Sequence, residues 1–328
     1  MTKQKSYNKS NIRIVHVNNL AFVATTTAEF QKRQGHTVHV ITTWFNNKVA
    51  ENNINKSLHG DIHISATTSR YSYNSLRLRL KTIADIAKLG DKIHVHGWSL
   101  LPFRLDLIYW KLCGKKLYYH YHGSDLRGKK EQLIPRLVCN RRFVSTPDLL
   151  MYASKGTEWL PNPINTENIS IYTPHTFVEG DGTLRILHAP SNPKIKGTNY
   201  IESAIESLKE EGYNIEFTCL KNKSHEEVLQ AIVESDLVID QLMLGWYGVF
   251  AMEAMTLGKP VCVYIEDSLT RYIPPDTLIN TTKDTIYDTL KNILEKKTNL
   301  NKIGENGRKY VEMKHSETAI MEFYNSLY

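Results

Sequence analysis

Two stretches of this sequence gather residues whose chemistry depends on their spacing. The first is Gly245-Trp-Tyr-Gly-Val-Phe-Ala-Met-Glu-Ala-Met-Thr-Leu-Gly-Lys-Pro260. Gly245 and Gly248 stand between an apolar run ending at Gln241 and a second run over 249–257. A glycine turn at a helix start presents free N–H groups and a partial positive charge, which suits a phosphate. The spacing is neither the G-x-G-x-x-G dinucleotide turn nor a P-loop. Glu253 falls inside the apolar run, either as a helix-surface carboxylate or as an acceptor for a ligand's hydroxyls. The second stretch is a pair of H-x-H patterns, His94/His96 and His120/His122, at the ends of apolar runs. Alternation along a strand puts each pair on one face. No third or fourth ligand is spaced to complete a metal site, so no metal is expected.

The elements that must hold these residues follow from hydrophobic periodicity. Strands are expected at 12–17, 38–42, 92–96, 116–122, 142–145 and 157–160, with helices at 26–34, 75–89 and 101–112. A segment at 162–182, rich in Pro, Asn, Thr and Gly, reads as a linker. The alternation then restarts. Strands are expected at 184–189, 215–220, 237–241 and 261–265, and helices at 199–211, 226–234, 249–257, 285–296 and 301–314. Two βα series predict an α/β chain with two doubly wound parallel sheets, 1–165 and 166–328, facing each other across a cleft. Ligands of such sheets bind beyond the C-terminal strand ends.

Composition narrows the classes. The 328 residues are 41% hydrophobic and 23% charged, which excludes disordered and low-complexity chains and fits two domains. No run approaches the ~18 apolar residues of a membrane span, and the first eleven residues lack a signal-peptide core. Four scattered cysteines, Cys113, Cys139, Cys219 and Cys262, form no C-x-x-C pair and read as buried small hydrophobes in a reducing cytosol. The net charge of +7 divides unevenly, +15 over 1–165 and −8 over 166–328, so the first half should face something anionic. Arg70, Arg77, Arg79, Lys81 and Lys88 interleave with apolar residues, with Leu76, Leu80, Ile83 and Ala87 as the packed stripe. Together with Lys115, Lys116, Lys129, Lys130, Arg141 and Arg142 they form a candidate patch for an anionic membrane surface. A continuous nucleic-acid groove is not expected, given the acidic second half and the absence of any recognised nucleic-acid motif.

Five ordered segments carry a resemblance. The glycine-rich stretch is similar to the E-G-F-G-x-x-x-x-E-A-M-A-x-G-x-P signature of retaining family-4 glycosyltransferases with the GT-B fold. His188-Ala-Pro-Ser-Asn-Pro-Lys-Ile-Lys-Gly-Thr198 resembles the loop whose lysine binds the donor phosphates. Trp159-Leu-Pro-Asn-Pro163 resembles the linker motif, and His120-Tyr-His-Gly-Ser-Asp125 the H-G-[ST]-D loop. Gly304-Glu-Asn-Gly-Arg308 resembles the start of the closing helices, the last of which (about 312–328) returns to the first domain in the family.

The resemblance implies a retaining, metal-independent transferase of the cytoplasm, with peripheral contact to the inner membrane face. It would move a sugar from a nucleotide diphosphate to a hydroxyl of a lipid-linked or surface glycan. Lys196 corresponds to the phosphate-binding lysine, Glu253 to a ribose-hydroxyl acceptor, and His122 to a positioning residue near the reacting centre. Ser191, Asn192, Gly245, Trp246, Tyr247, Gly248 and Val249 would line the donor. Asn18, Asn19, Asp125 and Arg127 would shape the acceptor side. Two departures stand out: Ser191 occupies the place of a family arginine, and Gly245 that of the first motif glutamate. They leave an alternative, a GT-B relative that binds nucleotide sugar but is epimerase-like or inactive.

Overall fold

The computed structural model describes residues 11–20, 22–45, 62–66, 73–172, 182–295 and 298–328. The chain divides into two compact units, Met1–Pro163 and Ile164–Tyr328, each built on a parallel sheet. The strands of the first are β1 (Arg13–Val17), β2 (Thr37–Phe45), β3 (Ile62–Ala66), β4 (Lys92–His96), β5 (Lys116–Tyr121), β6 (Arg141–Val144) and β7 (Thr157–Trp159). Their order is β3-β2-β1-β4-β5-β6-β7. The second sheet holds β8 (Leu184–His188), β9 (Ile215–Cys219), β10 (Leu237–Ile239), β11 (Val261–Val263) and β12 (Ile279–Asn280), in the order β12-β11-β10-β8-β9. Strands β3 and β12 are additions to the expected set: β3, Ile62-His-Ile-Ser-Ala66, does alternate apolar and polar residues, whereas β12 is only two residues long.

Both sheets reverse direction once, between β1 and β4 and between β8 and β10. Such switch points open a crevice at the C-terminal strand ends. Central strands are buried on both faces, as apolar runs in parallel sheets require: Ile14, Val15 and Val17 of β1 are wholly inaccessible, as are Leu237, Val238 and Ile239 of β10. The second core closes where the helix Leu300–His315 crosses the end of the helix Val249–Thr256. A Cβ on Gly304 would run into the carbonyl oxygen of Gly258, so only glycine permits that crossing. Among the described residues, no helix is long and apolar enough to cross a membrane.

Candidate functional site

The loop after β8 delivers Lys196. Asn192 caps the one-turn helix Pro193–Lys196, its Oδ1 accepting the N–H groups of Lys194 and Ile195 at 3.2 and 3.3 Å. Asn192 is thus a capping residue, while Ser191 is exposed beside it. The turn ends at Gly197, φ +79°, where a side chain would press within 3.2 Å of Leu242 Cβ. Lys196 then reaches the end of β10, where its Nζ donates to Asp240 Oδ1 at 2.5 Å. The other carboxylate oxygen, Oδ2, accepts the Gly248 N–H at 2.7 Å. The Asp240 side chain is fully buried, and that of Lys196 is 14% exposed. A Cβ at Gly248 would fall 3.2 Å from Asp240 Oδ2 and 3.3 Å from Lys196 Nζ. Gly248 is therefore glycine because an ion pair passes against its backbone.

Asp240 was not among the residues singled out from sequence, because it reads as the last position of an apolar strand. Its neighbour Gln241 is buried and knits the loop that follows. Its Oε1 accepts from the N–H of Met243 (2.9 Å) and its Nε2 donates to the Trp246 carbonyl (2.5 Å). Glu253 lies on the buried helix Val249–Thr256 and is met by His225, Nε2 to Oε1 at 2.7 Å. That hydrogen bond raises the His225 pKa above the ordinary imidazole value. His225 was also missed; only its place next to the helix cap Ser224 marks it in sequence.

Two expectations for this loop need correction. Trp246 and Tyr247 do not offer their rings to a ligand: both are 4% exposed, with ring centres 4.6 Å apart. The Tyr247 hydroxyl bonds Tyr310 at 2.9 Å and His315 Nε2 at 2.8 Å, fastening the turn to the helix Leu300–His315. Gly245 takes a left-handed conformation, φ +70°, and a Cβ there would press on Glu266 Cβ at 3.2 Å, so glutamate at that position would be strained.

In the first unit the histidines meet. Parallel register sets His16 opposite His94 and His96 opposite His120. Both H-x-H pairs and His16 consequently share one face at the β1/β4 switch point. The expectation that no third ligand joins a pair is overturned by this register, since His96, His120 and His122 have donor atoms all within 4.8 Å of one another. His96 Nδ1 lies 3.0 Å from His122 Nε2, His96 Nε2 lies 2.9 Å from His16 Nδ1, and His16 Nε2 lies 2.9 Å from Gln31 Oε1. Burial keeps the rings neutral: His16 is pushed down to about 4, His122 to about 3, and His96 and His120 lie well below the usual value.

The surrounding residues brace this face. Asn18 takes the left-handed turn its type allows, φ +69°, and its Nδ2 donates to the carbonyls of His96 and Trp98. Asn19 Oδ1 accepts from Thr25 at the start of the helix Val23–Arg33. Asp125 Oδ1 accepts the N–H groups of His122 and Gly123 at 3.0 and 2.9 Å. Arg127 is held by Asp148 through Nε at 2.9 Å and Nη2 at 2.6 Å. All four are tied down by the fold itself.

The basic helix Tyr73–Leu89 also departs from expectation. Arg77, Lys81 and Lys88 are exposed, but Arg79 turns inward, with Nη1 donating to the Leu100 carbonyl at 3.3 Å. Leu76 and Leu80 do not pack; they stand at the surface, 47% and 51% exposed. Arg142 is likewise buried, paired with Glu131 at 3.2 Å. Arg70 lies outside the described residues. The four cysteines are free, but only Cys262 is buried; Cys113 is exposed at the end of the helix Leu105–Leu112.

Comparison with known proteins now has a geometry to be set against. No family profile matches the chain, and no curated protein sequence is significantly similar to it. Solved structures do match. Anabaena Alr3699/HepE in complex with UDP superposes with a TM-score of 0.66 at 12% identity, over 96% of this chain and 99% of that one. Sucrose-phosphate synthase from Thermosynechococcus elongatus gives 0.63 at 15% identity, covering 96% and 98%. UDP-GlcNAc 2-epimerase from Methanocaldococcus jannaschii gives 0.52 at 15%, covering 92% and 98%. The fold is GT-B, with two parallel-sheet α/β domains.

Proposed function

We propose that this chain is a retaining family-4-type glycosyltransferase that moves a sugar from a nucleotide-diphosphate donor to a hydroxyl of a lipid-linked or surface glycan. The observation that carries the reading is the cluster at the β8/β10 switch point. A lysine ammonium and the N-terminus of the helix Val249–Thr256 meet at Asp240 where an open α/β sheet binds its ligand, and the buried Glu253 lies further along the same helix. The leaving diphosphate gains negative charge as the sugar–oxygen bond breaks. Lys196 and the N–H groups at the start of that helix supply the compensating field without moving. Asp240 holds the ammonium in place and offsets part of its charge. Glu253, released from or shared with His225, accepts the ribose hydroxyls. Glu266, whose Oε2 lies 3.7 Å from the Cβ position of Gly245, provides the sugar-facing carboxylate that the motif lacks.

In the first unit His122 is a neutral imidazole that orients the acceptor, and the leaving phosphate takes the acceptor's proton. No metal is required for that step. The acceptor is brought by a membrane surface on which Arg77, Lys81 and Lys88 meet anionic headgroups beside exposed Leu76 and Leu80. On this reading the enzyme works in the cytoplasm at the inner membrane face.

A thermal-shift series with UDP, GDP, ADP and their sugar conjugates tests the reading. A ligand of the native state at 100 times its dissociation constant adds about 2.7 kcal/mol. One nucleotide series should raise the melting temperature of the natural chain, and Lys196→Ala and Glu253→Ala should each abolish the rise. No shift with any nucleotide sinks the donor site. The Methanocaldococcus epimerase among the structural matches favours a second reading, donor isomerisation. Conversion of the bound sugar nucleotide without release of free nucleotide would select it.

A further inference from the structure

The histidine face of the first unit has a property that orienting an acceptor does not need. His120 is 2% exposed, and neither of its ring nitrogens makes a hydrogen bond of normal geometry. Leaving a buried polar group so costs about 1–3 kcal/mol unless something else engages it. The backbone oxygens of Val144 and Leu160 flank the ring and favour a proton on the side facing them. A bare nitrogen then remains for whatever lies between His120 and its neighbours.

We propose that His96, His120 and His122 form a binding site for a divalent transition-metal ion of the zinc class, with His16 and Gln31 as its supporting shell. Zinc–imidazole bonds of about 2.0–2.1 Å in a tetrahedron place donor nitrogens about 3.3 Å apart. The observed 3.0 Å between His96 Nδ1 and His122 Nε2 is within a few tenths of that, and the third donor lies within 4.8 Å of both. His122 stands just beyond the end of β5.

The supporting shell fixes which nitrogen is free. Gln31 Oε1 can only accept, so His16 Nε2 carries its proton. His16 Nδ1 is then an acceptor and draws the proton of His96 to Nε2. That leaves a lone pair on His96 Nδ1, aimed at His122. Ligating histidines characteristically anchor their second nitrogen in this way. Three neutral imidazoles without a carboxylate favour zinc, cobalt, nickel or copper over calcium and magnesium. Three protein ligands also leave a fourth position for water or a substrate atom. The site rests on the first unit alone and stands whether or not the chain transfers sugar.

The test uses the full chain purified without a histidine tag. After incubation with zinc chloride and gel filtration, mass spectrometry should find close to one zinc per chain. Cobalt titration should give the intense visible absorption of a four-coordinate ion. His120→Phe keeps ring packing against Phe143 and should lose the zinc while its circular dichroism is unchanged; His122→Asn should lose it independently. Gln31→Leu should weaken affinity about 10–100-fold without abolishing binding. No retained zinc in the natural chain, or equal zinc in the natural chain and His120→Phe, overturns the proposal.

Discussion

The two sheets carry polar groups at the same topological position and keep them buried by opposite means. At the β1/β4 switch point the groups are imidazoles, made neutral by burial and linked through their ring nitrogens to Gln31. At the β8/β10 switch point the groups stay charged, and Asp240 answers Lys196 directly. A neutral network gives up charge but stays tolerant of single replacements. A buried ion pair keeps its field but fails when either partner goes. The first arrangement suits holding a neutral hydroxyl or an ion supplied from outside, and the second suits an incoming anion.

The sharpest way to break this contrast is at Asp240. Asp240→Asn should cost about 3 kcal/mol in urea unfolding, because Lys196 is left largely buried without its anion. Asp240→Asn with Lys196→Met should recover most of that loss; strict additivity would mean the pair is not coupled. Gly248→Ala should cost about 1–3 kcal/mol, since the added methyl meets both members of the pair. A neutral result there would show that the cluster is loosely held. In the first unit, His120→Phe in metal-free protein should stabilise the fold by up to about 1–3 kcal/mol, because the unmet desolvation cost of the ring is removed. A loss as large as that for Asp240→Asn would erase the distinction between the two sites.

The smallest effect belongs to the surface pair. The His225 pKa is raised by Glu253, so the pair's contribution is fully present below the ordinary imidazole value and is lost as pH rises through the raised one. With His225 63% exposed, only a few tenths of a kcal/mol are expected. A proton NMR titration should find the His225 ring titrating high, and Glu253→Gln should return it to the ordinary value.

Much of this was legible in the residues. The apolar runs located ten of the twelve strands among the described residues, and glycine marked the helix stops because left-handed backbone leaves little choice, as at Gly258 with φ +71°. Lys196, Glu253 and His122 stand out through their resemblance to family motifs. Asp240 and Gln241 do not, since a strand end that turns polar inside a core looks the same in sequence as one that meets water. The histidine cluster was hidden for another reason: alternation along each strand was visible, but the neighbour relation between β4 and β5 exists only in the sheet. The burial of Trp246 and Tyr247 was not legible because it depends on Tyr310 and His315, more than sixty residues away in sequence.

Where Gly304 passes Gly258 the packing surface is the main chain itself. A lost side-chain contact can be restored by a larger neighbour, but a main-chain contact has no substitute. Descendants of this sequence should therefore be able to exchange Lys302 or Arg308 freely while remaining glycine at 304. Evolutionary drift at that crossing is thus confined to the outer face of the helix, and inheritance of the glycine is close to all-or-none.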